Sequence, residues 1–148
     1  MTEAALVIGY GDSLRSDDGV GPRVAELLAP ADNVAVLVRS QLLPDLAADL
    51  EGRDVVVFVD AGAGLEPGAV SARRVTPSET LDAAGLTHHC SPGALLRLAD
   101  RLYGARPRAF LVTVGAASFE LGEELSPPVA AALAEAAAEV RRLIAAAE

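Results

Sequence analysis

The chain has 148 residues, 51% of them hydrophobic, with no tryptophan and a single cysteine, Cys90. That suffices for one domain spanning 1–148 with a core of mainly Ala, Leu and Val, and it excludes an internal disulfide. A formal net charge of −9, from 21 acidic and 12 basic side chains, repels phosphate backbones and argues against a nucleic-acid partner.

The start Met1-Thr2-Glu3 has no basic leader region, and no apolar run reaches the roughly 20 residues that cross a bilayer. No membrane association is therefore expected, and the lone cysteine suits a reducing, cytoplasmic location. The first predicted element is a short apolar strand, Leu6–Ile8. A Gly- and Asp-rich turn follows. Pro22 suits the first turn of a helix whose stripe is Val24, Ala25, Leu27 and Leu28, stopped at Ala29-Pro30. Val34–Val38 reads as a second strand, and Pro44 opens a short helix with Leu46, Ala47 and Leu50 on one face and Gly52 as its stop. Val55–Val59 is continuously apolar, as expected of a strand covered on both faces, and Asp60-Ala61-Gly62-Ala63-Gly64 breaks it.

Ala69–Val75 carries Arg73 and Arg74 and reads as an edge strand. A helix with Leu95, Leu96, Leu98, Ala99 and Leu102 follows Ser91-Pro92 and ends at Gly104. Ala109–Val114 is the last strand, and Ser126-Pro127 caps an Ala-rich C-terminal helix carrying Val129, Leu133, Val140 and Leu143. Strands alternating with helices predict an α/β fold: a three-layer sandwich with a mostly parallel sheet of about five strands flanked by helices. In such a sheet ligands bind beyond the carboxyl ends of the strands. The Gly/Asp turn after the first strand and Asp60 after the third face that edge together.

Several motifs invite a function. Gly11-Asp12-Ser13-Leu14 spells the block of a lipase and esterase family, but no histidine lies beyond His89 to activate Ser13, and no Asp-x-x-His occurs. Gly9-x-Gly11 lacks the third glycine of a dinucleotide fingerprint, and no Gly-Lys-Ser/Thr phosphate loop exists, so Gly19 and Gly21 read better as close helix–strand packing. Cys90 beside His89 reads as a small apolar filler, since neighbours in an extended loop point apart. Asp17 and Asp18, taken alone, suit the N-terminus of a helix. Together with Asp60 and the pair His88-His89 they form a carboxylate–imidazole set suited to Ni, Zn, Mn or Fe.

The run Gly9-x-Gly11-Asp12-x-Leu14-x-x-Asp17-Asp18-Gly19-x-Gly21 resembles the signature of the nickel–iron hydrogenase maturation endopeptidases. The strand ending in Asp60-Ala61, the histidine before a Leu-rich helix, and the stretch Leu111–Glu120 with Gly122 and Leu125-Ser126-Pro127 extend that resemblance along the whole chain. It implies a peptidase that removes a short C-terminal extension from the hydrogenase large-subunit precursor after nickel insertion, recognising the nickel of that precursor. It also implies metal contacts through Asp18, Asp60 and His89, with His89 preferred over His88 by its distance to Gly104. Asp18 and Asp60 would be catalytic, with Asp17 the accessory acid and Asp12 a weaker candidate for it; Gly62 to Gly64 would form a flexible wall for an extended peptide. The chain departs from the family pattern at Asp12, where Asn is usual, and at Asp18, where several members have the longer Glu. The alternatives are a non-catalytic chaperone that binds the nickel subunit, and a small esterase or peptidase on the same fold.

Overall fold

The computed structural model describes residues 4–28, 33–79 and 90–147. Five strands form one sheet in the order β2-β1-β3-β5-β4: β1 (Ala5–Tyr10), β2 (Val34–Arg39), β3 (Val55–Gly62), β4 (Val70–Val75) and β5 (Arg108–Gly115). The first three and β5 run parallel, and β4 pairs antiparallel with β5 at one edge. Three α-helices, α1 (Val20–Leu28), α2 (Pro92–Tyr103) and α3 (Pro127–Ala147), and two 3-10 helices, Ser16–Gly19 and Pro44–Leu50, complete the described elements.

Strand alternation divides the core. Ala5, Val7, Val55, Val57, Val59, Val112 and Val114 face α1 and α3. Leu6, Ile8, Val56, Phe58 and Leu111 face α2 and the 3-10 helix Pro44–Leu50. Leu6, Ile8 and Phe58 are fully buried, and each such burial contributes about 1.5–3 kcal/mol. The continuous apolar runs of β1 and β3 follow from being covered on both faces. β4 exposes Arg73 and Arg74, which suits an edge. In α2 the Ser91 side chain accepts from the Ala94 amide at 3.1 Å, and Gly104 ends the helix at φ 65°.

Two features differ from the sequence reading. Residues 60–62 do not break β3: the strand continues through Gly62, which pairs with Gly115, so this glycine belongs to the sheet and not to a flexible wall. The segment Pro44–Leu50 winds as a 3-10 helix. Ser126 stands at the start of α3 as expected: its carbonyl accepts from the Ala130 amide at 2.9 Å, while its hydroxyl donates to Asp17 Oδ2. The expected stop at Ala29-Pro30 lies outside the described residues. Gly21 does serve close packing: a side chain there would collide with the carbonyls of Val59 and Tyr10. Its absence seats α1 directly on β1 and β3.

Candidate active site

One residue level at the carboxyl end of the sheet carries the polar chemistry. Tyr10 continues the alternation of Leu6 and Ile8, Asp60 that of Val56 and Phe58, and Thr113 that of Ala109 and Leu111, so all three stand on the α2 face. Asp60 and Thr113 are directly paired across β3 and β5. The Tyr10 hydroxyl donates to Asp60 Oδ2 at 2.9 Å, and the Thr113 hydroxyl donates to Oδ1 at 2.8 Å. Each oxygen of Asp60 is thus held by a different neighbouring strand. Burial nevertheless pushes the Asp60 pKa above the ordinary carboxylate value, against the opposing pull of those two hydroxyls and Arg73. Burial and the Asp60 charge also drive the Tyr10 phenol far up, so it stays a protonated donor.

The turn after β1 brings Asp18 to the same place. Gly11 takes φ 149°, and a side chain there would run into the Asp18 carbonyl. The Asp12 amide donates to Asp18 Oδ2 at 2.7 Å, and Asp12 Oδ1 accepts from the Leu14 amide at 2.9 Å, closing an Asx turn. Tyr10, Gly11, Asp18, Asp60 and Cys90 line one pocket of about 240 Å³, with Ser40 to Leu42 opposite. Asp18 and Asp60, predicted together from the sequence, therefore share a cavity.

Asp17 does not. It has no exposed surface, and it faces away from the pocket into the loop after β5. Its Oδ2 accepts from the amides of Ala117 at 2.8 Å and Ser118 at 3.0 Å and from the Ser126 hydroxyl at 2.8 Å; its Oδ1 accepts from the Ser126 amide at 2.7 Å. Burial alone would raise its pKa, but these bonds together outweigh it and hold the carboxyl below its ordinary value. The expectation of an accessory acid is corrected: Asp17 is an inaccessible acceptor that ties two loops. Neighbouring bonds reinforce the tie, from Ser16 N to the Gly122 carbonyl at 2.7 Å and from Ser16 Oγ to the Glu120 carbonyl at 2.8 Å. Ser16 sits at φ 50°, a conformation that non-glycine residues adopt only when their surroundings impose it.

Asp12 serves turn geometry, and its carboxylate lies 3.9 Å from the Arg15 guanidinium. Ser13 is exposed on a neighbouring pocket, and no imidazole stands beside it among the described residues. Cys90 is buried, its amide donates to the Leu42 carbonyl at 2.8 Å, and burial pushes its thiol pKa up, away from a nucleophilic thiolate. His88 and His89 lie outside the described residues. Among the described residues no group of three His, Cys, Asp or Glu side chains is placed to hold a metal; Asp18 and Asp60 supply two oxygen donors at one pocket. Sequence reasoning missed Tyr10 and Thr113. The available signal was a hydroxyl residue on the core face at the end of each strand flanking β3.

Comparison with known proteins follows the same lines. No protein-family model matches the chain, and no curated protein sequence does. Among solved structures, a hydrogenase maturating endopeptidase from E. coli, HybD, is 30% identical and superposes with a TM-score of 0.69 over 95% of this chain and 90% of that one. A hydrogenase 2 maturation peptidase from a Thaumarchaeota archaeon is 28% identical, with a TM-score of 0.69 over 95% of this chain and 97% of its own. A [NiFe] hydrogenase maturation protease from Thermococcus kodakarensis is 25% identical, with a TM-score of 0.69 over 97% and 99%.

Proposed function

The chain belongs to the hydrogenase maturation endopeptidase family and is a peptidase, and from that premise we propose that it removes the C-terminal extension of a [NiFe] hydrogenase large-subunit precursor once nickel has been inserted. The observation that carries this reading is the pairing of Asp18 and Asp60 in one pocket at the carboxyl rim of the sheet. Carboxylate oxygens, with an imidazole from His89 as the third donor, suit a divalent nickel ion that arrives as part of the precursor.

Asp60 is the residue that takes a proton from the attacking water. Tyr10 and Thr113 fix its orientation. Water adds to the scissile carbonyl carbon, the C–N bond breaks, and the leaving amine takes the proton. The precursor's nickel, held by Asp18 and Asp60, would supply Lewis acidity to the reaction. Asp17 acts indirectly, by holding the turn that carries Asp18.

No described helix is long and apolar enough to cross a membrane, in keeping with a cytoplasmic maturation step. The test is incubation with nickel-loaded precursor and mass spectrometry of its C-terminus. Loss of a defined C-terminal fragment is expected. Binding without mass loss assigns the chain to a non-catalytic chaperone instead, and turnover of simple esters without any hydrogenase assigns it to an ordinary hydrolase.

A further inference from the structure

A second pocket, of about 250 Å³, adjoins the first and shares Gly11 and Ser40 with it. Its apolar walls are Leu14, Pro22 and Val38. Leu14 is 56% exposed and Val38 37%, although both belong to well-tied backbone. The Leu14 amide donates to Asp12 Oδ1 and its carbonyl accepts from the Gly122 amide, so the turn holds this side chain at the mouth of the pocket. Val38 lies near the end of β2, an edge strand. The next carbonyl, of Arg39, accepts from the Gly11 amide on the β1 side. Parallel alternation therefore turns the amide groups of Val38 outward, where its carbonyl meets the Arg39 guanidinium.

Resting on the peptidase reading above, we propose that this second pocket is the subsite for an apolar side chain of the precursor's C-terminal segment, next to the scissile bond. Successive residues of an extended peptide advance by about 3.3 Å, so a bond held at Asp60 brings a flanking residue to a pocket that shares its wall. An apolar side chain seated between Leu14 and Val38, over the buried Pro22, removes the exposed surfaces of Leu14 and Val38 from water, which folding of the chain itself does not. A charged side chain is desolvated there. Of the charged groups in the lining, Asp12 lies beside Arg15 and Arg39 beside the Val38 carbonyl, while Glu26 is the natural counter-charge for a cationic rival occupant.

The test uses nickel-loaded precursors that differ only at the residues flanking the cleavage point, made Leu, Ser or Lys. The wild-type chain is expected to favour Leu by at least about tenfold in kcat/KM, and the Leu14→Ser/Val38→Ser double variant to compress that preference to about twofold, mainly through KM. Leu102→Ser, equally exposed but on α2, serves as control and keeps the full preference. A double variant that discriminates like wild type overturns the proposal, as does a wild-type preference for Lys. If the wild-type chain cleaves no precursor, the peptidase reading fails on its own, and the subsite is judged by NMR titration with a synthetic tail peptide. Shifts at Leu14 and Val38 that vanish in the double variant uphold it, and unshifted amides overturn it. Sedimentation supplies the last arm: a wild-type dimer that the double variant dissolves, with discrimination intact, assigns the pocket to self-association and overturns it.

Discussion

Asp17 and Asp60 are both drawn away from water, yet their surroundings drive them in opposite directions. Asp17 meets three backbone amides and a hydroxyl, and its charge is held down to lower pH. Asp60 meets two hydroxyls, which do not offset the burial, and its carboxyl is pushed up. Burial by itself therefore does not mark a reactive carboxylate. The number and kind of donors decide whether a buried acid is a structural anchor or a group ready to exchange a proton.

The contrast can be broken at either end. Asp60→Asn keeps the shape and removes the charge, and is expected to lower kcat by roughly 10²–10⁴ in the precursor assay. The same change is expected to leave stability at neutral pH unaltered or raised, on the order of 1 kcal/mol in urea unfolding. A carboxyl whose folded pKa lies above its unfolded value favours folding only below the unfolded value, and this contribution is lost as pH rises through the folded value; Asn has no such loss. Cleavage at the wild-type rate would remove Asp60 from the mechanism.

Asp17→Ala inverts the pattern. Three part-buried amides lose their acceptor, and destabilisation of roughly 1–3 kcal/mol is expected from the shift in urea midpoint. Because the folded pKa of Asp17 is depressed, its stabilisation is present above the unfolded value of about 3.9 and is lost as pH falls through the lower folded value. Asp17→Asn should therefore flatten the acid limb of the stability–pH curve. An unchanged limb would mean that another carboxyl sets it.

Smaller changes sharpen the comparison. Gly11→Ala forces a side chain toward the Asp18 carbonyl at φ 149°, for a cost of about 1–3 kcal/mol and a measurable fall in cleavage as Asp18 shifts. Tyr10→Phe deletes one hydroxyl donor while keeping the ring, and should lower kcat by about tenfold with KM unchanged. A change in KM alone would make Tyr10 a substrate contact and not a support for Asp60.

The sheet was legible in the chain because apolar runs such as Val55–Val59 and turn residues such as Pro44 and Gly104 act locally, and Asp18 and Asp60 because the first follows β1 and the second lies near the end of β3, at the ligand-binding rim. What local pattern does not carry is partnership. Asp17 and Asp18 are neighbours with the same side chain, and only the return of residues 117–126 to the first turn separates their roles. Tyr10 finds Asp60 across 50 positions and Thr113 finds it across 53, through strand order and register, which no single segment encodes. Gly62 was misread for a similar reason: glycine in a strand looks like a break until Gly115 is known to lie opposite.

The tie between the first turn and residues 117–126 also orders events in time. Asp18 and Asp60 both lie in the first half of the chain, but Asp60 is held by Thr113 of β5, and the network that steadies the first turn is closed by Ser126, at the start of α3. A nascent chain that has already paired β1 with β3 is thus still unarmed. Competence arrives with its last stretch, so a fragment shortened by α3 and the loop before it would carry both pocket carboxylates and lack the scaffold that aims them.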